Sequence, residues 1–321
     1  MTTTRLPHES WDGMLPGPPS RSNGGCADCS PAGLLAYGSG SSVAIVDTRS
    51  MQLVSAFPMP APSPTTLAPF VTSVRWTPQP LGRDLLTHEP SNSHLRLAVG
   101  DRQGRLALLD FRAGHVALWF DLDGDRSKLG VQDLCWARAD SWLLASLCGP
   151  SLLALWNAST GRCIWKYDAT PEYFSCIRRD PFDSRHLCAL GLRGFLLSIK
   201  ILGDGGDEDI AIHEHQILAA DYSSELQRIE REANAAASSP ALAAFPTFFV
   251  KLAFSHHWRH IVFVTFPKEL IVFDLEYGAG LYSTSLPRGC SKFMDVVADL
   301  DNHLIYCAHL DGKLTAWRRK E

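Results

Sequence analysis

Nowhere in these 321 residues is there a run of roughly 20 consecutive apolar side chains, the length a helix needs to cross a bilayer. The opening, MTTTRLPHESWDGMLPGPP, also lacks the apolar core of a secretory leader, so a cytosolic address is expected. There is no basic surplus: 30 Lys and Arg stand against 34 Asp and Glu, for a net charge of −4. That excludes a general nucleic-acid binder, which needs excess cations to displace phosphate counterions. Cysteine is too sparse and irregular for a disulfide or zinc framework. The nine residues include one C-x-x-C pair, Cys26 and Cys29, and no second pair to complete a four-ligand site. Reduced structural thiols are expected. Disorder is excluded too, because 45% hydrophobic and 20% charged residues suffice for a real core.

Signatures of chemistry are equally scarce. GSGSS (38–42) lacks the third glycine of a dinucleotide loop, and neither a Walker loop nor a G-x-S-x-G elbow occurs. Asp121, Asp123 and Asp125 suggest a calcium loop, but Arg126 stands where its glycine belongs and Gln132 where its bidentate Glu belongs. His213 and His215 flank Glu214, and SHHWRH carries His256, His257 and His260. The latter segment reads as a turn between strands and not as the helix that an i, i+4 zinc pair requires, so these histidines are expected at the surface. No catalytic, cofactor-binding or metal-ligating residue is expected.

What the chain does contain is repetition. One segment alternates in the manner of a strand: VTSVRW (71–76), VQDLCW (131–136), FSCIRR (174–179), FVKLAF (249–254) and FMDVVA (293–298). A second reads as a buried strand: VAIVD (43–47), LALLD (106–110), LALWN (153–157), LLSIK (196–200), LIVFD (270–274) and LTAWR (314–318). From Trp136 to Trp156 is 20 residues, from Arg179 to Ile199 is 20, from Phe254 to Phe273 is 19 and from Ala298 to Trp317 is 19. A further apolar strand and a tight turn lie between each pair, Asp311-Gly312 being the strongest hairpin signal. A short link and one more strand then complete four antiparallel strands per unit.

Counted at Val46, Leu109, Trp156, Ile199, Phe273 and Trp317, the pitch is 63, 47, 43, 74 and 44. Three of these lie in or near the roughly 40–45 residues of a WD-type blade. The other two carry insertions. QPLGRDLLTHEPSNSH is expected as a surface loop in unit two, and residues 203–245 as a mobile excursion with a short amphipathic helix in SSELQRIEREANAAA. Sheets that are apolar on both faces need neighbours on both sides, and radial stacking supplies them. The expected fold is all-β, a WD40-type β-propeller of about six to seven four-stranded blades over residues 26–321, after a flexible Pro/Gly/Ser-rich segment at 1–25. A two-domain β-sandwich is the alternative, but it does not predict a constant offset. The sixth unit ends after its third strand, so closure is expected to need a strand from the N-terminal segment or a further blade.

The repeat-equivalent Trp76, Trp136, Trp156, Phe254, Phe273 and Trp317 are expected to fill the core. Asp47-Thr48-Arg49 and Asp110-Phe111-Arg112 each set an aspartate and an arginine two apart after a third strand. This partly resembles the W-D-x-R box of propellers that serve cullin ubiquitin ligases, with Val46 and Leu109 in place of Trp. Asp47, Arg49, Asp110 and Arg112 are therefore candidate adaptor contacts, against the plainer expectation that they hold a turn.

GLLAYGSGSSVAIVD (33–47), LALWNASTGRCIWKYD (153–168), DPFDSRHLCAL (180–190) and KELIVFDLE (268–276) are similar, in order and spacing, to stretches of the WD repeat-containing protein 11 family. The resemblance runs from about Gly33 to the last residue. It implies much of the first of two propellers in a longer protein, and a non-enzymatic scaffold in vesicle tethering at the trans-Golgi network. The implied partners are a family-with-sequence-similarity-91 type protein and golgin-linked tethering components, with nuclear roles also attributed to animal members. No cofactor, direct nucleic-acid contact or small-molecule substrate is implied. An interaction scaffold and a ubiquitin-ligase substrate receptor are the two functions to separate.

Overall fold

The computed structural model describes residues 19–20, 23–24, 26–78, 82–83, 90–91, 95–120, 130–138, 143–203, 209–217, 219, 222–228, 231 and 249–318. Asp121, Asp123, Asp125 and most of the 1–25 segment lie outside them. Among the described residues, six antiparallel sheets, five four-stranded and the last three-stranded, are the blades of a β-propeller, and one further two-stranded sheet stands apart from them. The chain divides into two compact units, Met1–Val131 and Gln132–Glu321.

The first unit holds two blades. β1 (Ala27–Cys29), β2 (Leu34–Ser39), β3 (Ser42–Asp47) and β4 (Gln52–Pro58) form sheet 1 in chain order. Sheet 2 consists of β5 (Val71–Trp76), β8 (Arg96–Asp101), β9 (Leu106–Asp110) and β10 (His115–Phe120). Between β5 and β8, inside the stretch expected as a loop, β6 (Gly82–Arg83) pairs with β7 (Pro90–Ser91). Alternation along β2, β3, β5 and β8 puts Leu34, Ile45, Val74, Trp76 and Leu97 into one core. Asn23 is wholly buried, donating from Nδ2 to Gly40 O (2.7 Å) and Val71 O (2.8 Å) while Oδ1 accepts from Gly40 N (2.9 Å). With Ser20 N also donating to Oδ1, one amide satisfies four backbone groups and ties sheet 1 to sheet 2.

The second unit holds four. β11 (Val131–Arg138), which starts at the junction, runs with β12 (Leu143–Cys148), β13 (Leu152–Asn157) and β14 (Arg162–Asp168) in sheet 3. Sheet 4 is β15 (Phe174–Arg179), β16 (His186–Gly191), β17 (Phe195–Ile201) and β18 (Ile210–Gln216). Sheet 5 is β19 (Lys251–Phe254), β20 (Ile261–Phe266), β21 (Glu269–Asp274) and β22 (Ala279–Ser285), and sheet 6 is β23 (Phe293–Ala298), β24 (Leu304–His309) and β25 (Leu314–Arg318). Leu155 and Trp165 of sheet 3 pack on Leu197 and Ile199 of sheet 4. Cys188 and Leu196 on the opposite face of sheet 4 pack on Val262 and Phe273 of sheet 5, and Phe263 and Leu270 of sheet 5 pack on Phe293 and Val296 of sheet 6. Each fully buried aliphatic or aromatic side chain contributes about 1.5–3 kcal/mol, so three such interfaces outweigh the sparse polar ties between sheets. One of those ties is Asp133 on β11, whose Oδ2 accepts from Arg178 Nη1 (2.6 Å) and Ile177 N (3.1 Å) on β15.

The repeat is visible in the register. Val46, Leu109, Trp156, Ile199, Phe273 and Trp317 all occupy the same rung, opposite Leu35, Leu97, Leu144, Leu187, Val262 and Ile305. Immediately beside that rung the pairing of third and fourth strands is bulged in sheets 1, 2, 3 and 5 and regular in sheet 4. Trp76, Trp136, Trp156, Phe254 and Phe273 are buried, whereas Trp317 is only half-buried. Its strand, β25, is the last of a three-stranded sheet, and Leu314 and Leu310 beside it are exposed.

The fourth strand of sheet 4 lies within residues 203–245, the stretch expected to be an excursion. Sequence patterning missed it for a physical reason. IAIHEHQ faces solvent along most of its length and has no apolar alternation, because an outermost strand needs little burial. A helix follows at 223–228, in the segment expected to be helical, and Tyr222 just before it stacks on Phe266 of sheet 5. Ser224 lies inside this helix and donates its hydroxyl to Glu225 Oε2.

Candidate functional site

The turns that join third to fourth strands share one device. Asp47 Oδ1 accepts from Arg49 N (2.8 Å), and Asp110 Oδ1 accepts from Arg112 N and Ala113 N (both 3.0 Å). Asn157 does the same for Ser159 and Thr160, and Asp274 for Glu276 and Tyr277. A short polar side chain that accepts from the backbone two residues on closes the hairpin by itself. The donated hydrogen bonds hold the Asp47 carboxyl below the usual carboxylate range. Asp47 and Asp110 are thus accounted for by turn closure, while the Arg49 and Arg112 side chains point to solvent. Both turns lie in the first unit.

Sheet 4 departs from this pattern. The rung that carries Asp47, Asp110, Asn157 and Asp274 elsewhere carries Lys200, and the link beyond it is longer. The neighbouring rungs change as well. Where sheet 3 has Leu143 and the cross-strand pair Leu155–Trp165, and sheet 5 has Ile261 and Val272–Tyr282, sheet 4 has His186 and Ser198–His213. Side chains directly opposite in a ladder share a face. His186 and Lys200 therefore stand beside Cys188, Ser198 and His213, and beyond them Leu190, Leu196 and His215, all toward sheet 5. The regular pairing of β17 with β18 keeps both histidines of β18 on that face.

The result is an open cleft of about 460 Å³ between sheets 4 and 5, within the size range of small-molecule sites. Its floor is a hydrogen-bonded chain. Asp180 Oδ2 lies 2.8 Å from His186 Nδ1, and His186 Nε2 lies 2.7 Å from Ser198 Oγ. With Nδ1–H donated to the carboxylate, Nε2 accepts the serine hydroxyl. Burial, the largest single influence, would raise the Asp180 carboxyl, but the bond from His186 and the backbone bonds from Phe182 and Asp183 together outweigh it and hold the group below the ordinary range. The order Asp–His–Ser is that of a hydrolase relay, yet Ser198 is 7% exposed and sits inside a continuous strand, not on the exposed turn a nucleophile requires. The chain serves to fix β16 to β17. Burial raises the adjoining Cys188 thiol, which remains unreactive.

The walls come from both sheets. Phe182, 40% exposed, lies under the Arg259 guanidinium at 5.7 Å. Lys200 Nζ pairs with Asp183 Oδ2 at 3.0 Å. His215 meets Phe273 edge-on at 5.9 Å, and burial, then the proximity of His213 and His186, pushes its pKa down. His260, one of the histidines of SHHWRH, lines the opposite side with its backbone at φ 63°, and Glu276 completes the rim. The sequence signal for this site is positional: Ser198, Lys200 and His186 interrupt apolar or Asx positions that recur in the other units.

A sequence model of the family described as "WDR11 first beta-propeller" matches residues 17–321. WD repeat-containing protein 11 of Mus musculus is 24% identical over 299 residues, and that of Homo sapiens is 25% identical over 299. Each match covers 88% of this chain and 23% of the relative, so the chain spans about a quarter of those proteins. Among solved structures, a chain of the Mitotic Checkpoint Complex is similar at a TM-score of 0.63 and 14% identity, covering 96% of this chain and 78% of that one. The Myceliophteria thermophila Cps50 (Swd1) β-propeller domain is similar at 0.56 and 13%, covering 92% and 96%. At these identities the structural likeness carries the fold alone.

Proposed function

Because this chain belongs to the family of the WDR11 first β-propeller, we propose that it is a non-enzymatic docking scaffold for vesicle tethering at the trans-Golgi network. WD-repeat propellers are a protein-interaction architecture. What supports the reading here is the combination of a family match over residues 17–321 with hairpin turns that close themselves. Loops held on a stiff frame can carry recognition without moving the backbone. The partners this reading names are a family-with-sequence-similarity-91 type protein and golgin-linked tethering components, through which the scaffold reaches the cytoplasmic side of Golgi membranes.

Affinity purification of the full-length protein from cells tests it. Recovery of that partner together with tethering components is expected. Recovery of a cullin adaptor in their place overturns the proposal and favours a substrate receptor acting through Arg49 and Arg112, the two exposed arginines of the Asp-x-Arg turns.

A further inference from the structure

The cleft between sheets 4 and 5 departs from the packing that the repeat uses elsewhere. In sheet 3 the equivalent rungs are filled by Leu143, Leu155 and Trp165, which pack on sheet 4 as continuous core. Replacing such a set by His186, Ser198 and His213 gives up apolar burial and opens a polar cavity toward sheet 5. Donors converge on that cavity. Among the described residues Arg259, His213, His215 and His260 have no hydrogen-bond acceptor or ion-pair partner, although Arg259 and His215 make the ring contacts already given. The acceptors present are already engaged, Asp180 by His186 and Asp183 by Lys200, which leaves Glu276 on the rim.

We infer that this cleft is a binding site for a phosphate monoester, filled on mild acidification and held chiefly by Arg259 and His213. A planar guanidinium presents a fork of N–H donors suited to a phosphate's oxygens, and imidazolium rings add donors of the same sign. The balance of charge sets the pH dependence. With neutral imidazoles the lining carries two cations, Lys200 and Arg259, against three carboxylates, Asp180, Asp183 and Glu276, and so disfavours an anion. The imidazoles of His186, His213, His215 and His260 are the lining groups able to add positive charge and reverse that sign. Burial, then the neighbouring His213 and His186, oppose the charging of His215. The ligand titrates too: a phosphate monoester passes from dianion to monoanion near pH 6. Binding should therefore climb from pH 7.5 to a maximum near 6 and level off below it.

The test is calorimetric titration of the full chain with phenyl phosphate and with a short phosphoserine peptide whose flanking residues are uncharged, with acetate as control. Saturable binding at pH 6.2, about tenfold tighter than at pH 7.5, is expected from the change in histidine charge. Arg259→Ala and His213→Ala should each weaken it by about tenfold, both side chains being exposed and their loss tolerable to the fold. Glu276→Gln should strengthen it, because the one disengaged carboxylate is removed. Tighter binding of phenyl phosphate would identify a free small ligand as the source of the group, and tighter binding of the peptide a phosphorylated side chain. Absence of saturable binding at pH 6.2, acetate binding as tightly as phosphate, or affinity unmoved by Arg259→Ala and His213→Ala overturns the inference.

Discussion

Ser198 and His213 stand directly opposite each other on the last two strands of sheet 4, on the rung that Leu155 and Trp165 fill in sheet 3. The same template thus yields an apolar interface in one place and a polar cleft in the next. Three cross-strand positions decide which.

Trp156 should prove among the least replaceable side chains. It is 1% exposed, and its indole N–H donates to Ser146 Oγ at 2.8 Å. Trp156→Ala is expected to cost about 3–5 kcal/mol through the cavity left behind. Urea unfolding followed by tryptophan fluorescence and far-UV dichroism measures it. A loss below about 1 kcal/mol would be incompatible with this packing.

The Asp133–Arg178 pair makes an asymmetric prediction. Burial alone would lower the Arg178 pKa, but the Asp133 charge and hydrogen bond, joined by Cys176 and Asp295, together reverse that and hold it up. Asp133→Ala leaves Arg178 without this partner and Ile177 N without its acceptor, and should cost about 3 kcal/mol, the lower end for a buried pair, because Arg178 is 27% exposed. Adding Arg178→Met should recover part of the loss. A double variant no more stable than Asp133→Ala, compared by denaturant midpoint, would show that the unpaired charge is not the source of the cost.

Acid sensitivity should trace in part to Asp180. Its folded-state pKa is depressed by His186 in spite of burial. The stability it contributes is present above the ordinary aspartate range, near pH 4, and is lost as pH falls through the lower folded value. Asp101 and Glu172, raised by burial, act with the opposite sign. They are unchanged by Asp180→Asn, so the difference between parent and variant isolates Asp180. The thermal midpoint of Asp180→Asn is expected to be lower than the parent's at pH 7 and to fall less between pH 5 and pH 3. Parallel falls in the two proteins would contradict this.

Changing Arg49 and Arg112 together to alanine should leave the unfolding midpoint where it is, since both side chains face solvent. Asp47→Ala should shift it downward, because two turn residues then lose their acceptor. A fall in the midpoint of the arginine variant would mean that those side chains, and not the aspartates, hold the turns.

The architecture was legible because Trp156, Phe273 and their equivalents recur at fixed distances, and a ladder rung is a local property of sequence. β18 was not, since IAIHEHQ follows an acidic glycine-rich stretch and buries little, leaving no period for patterning to detect. The cleft was hidden for another reason. His186, Ser198 and His213 become neighbours only through the register of three strands, and read singly His213 looks like any surface histidine. The clue available was comparative: setting LLSIK between LALWN and LIVFD puts Ser198 under Leu155 and above Val272.

The self-closing turns at Asp47, Asp110, Asn157 and Asp274 have one more implication. A hairpin stitched by its own carboxylate or amide places no demand on the strands next door, so the tip beyond the stitch can drift through many sequences without jeopardising the blade. Lineages that share this frame can then diverge in what they recognise long before they diverge in how they fold.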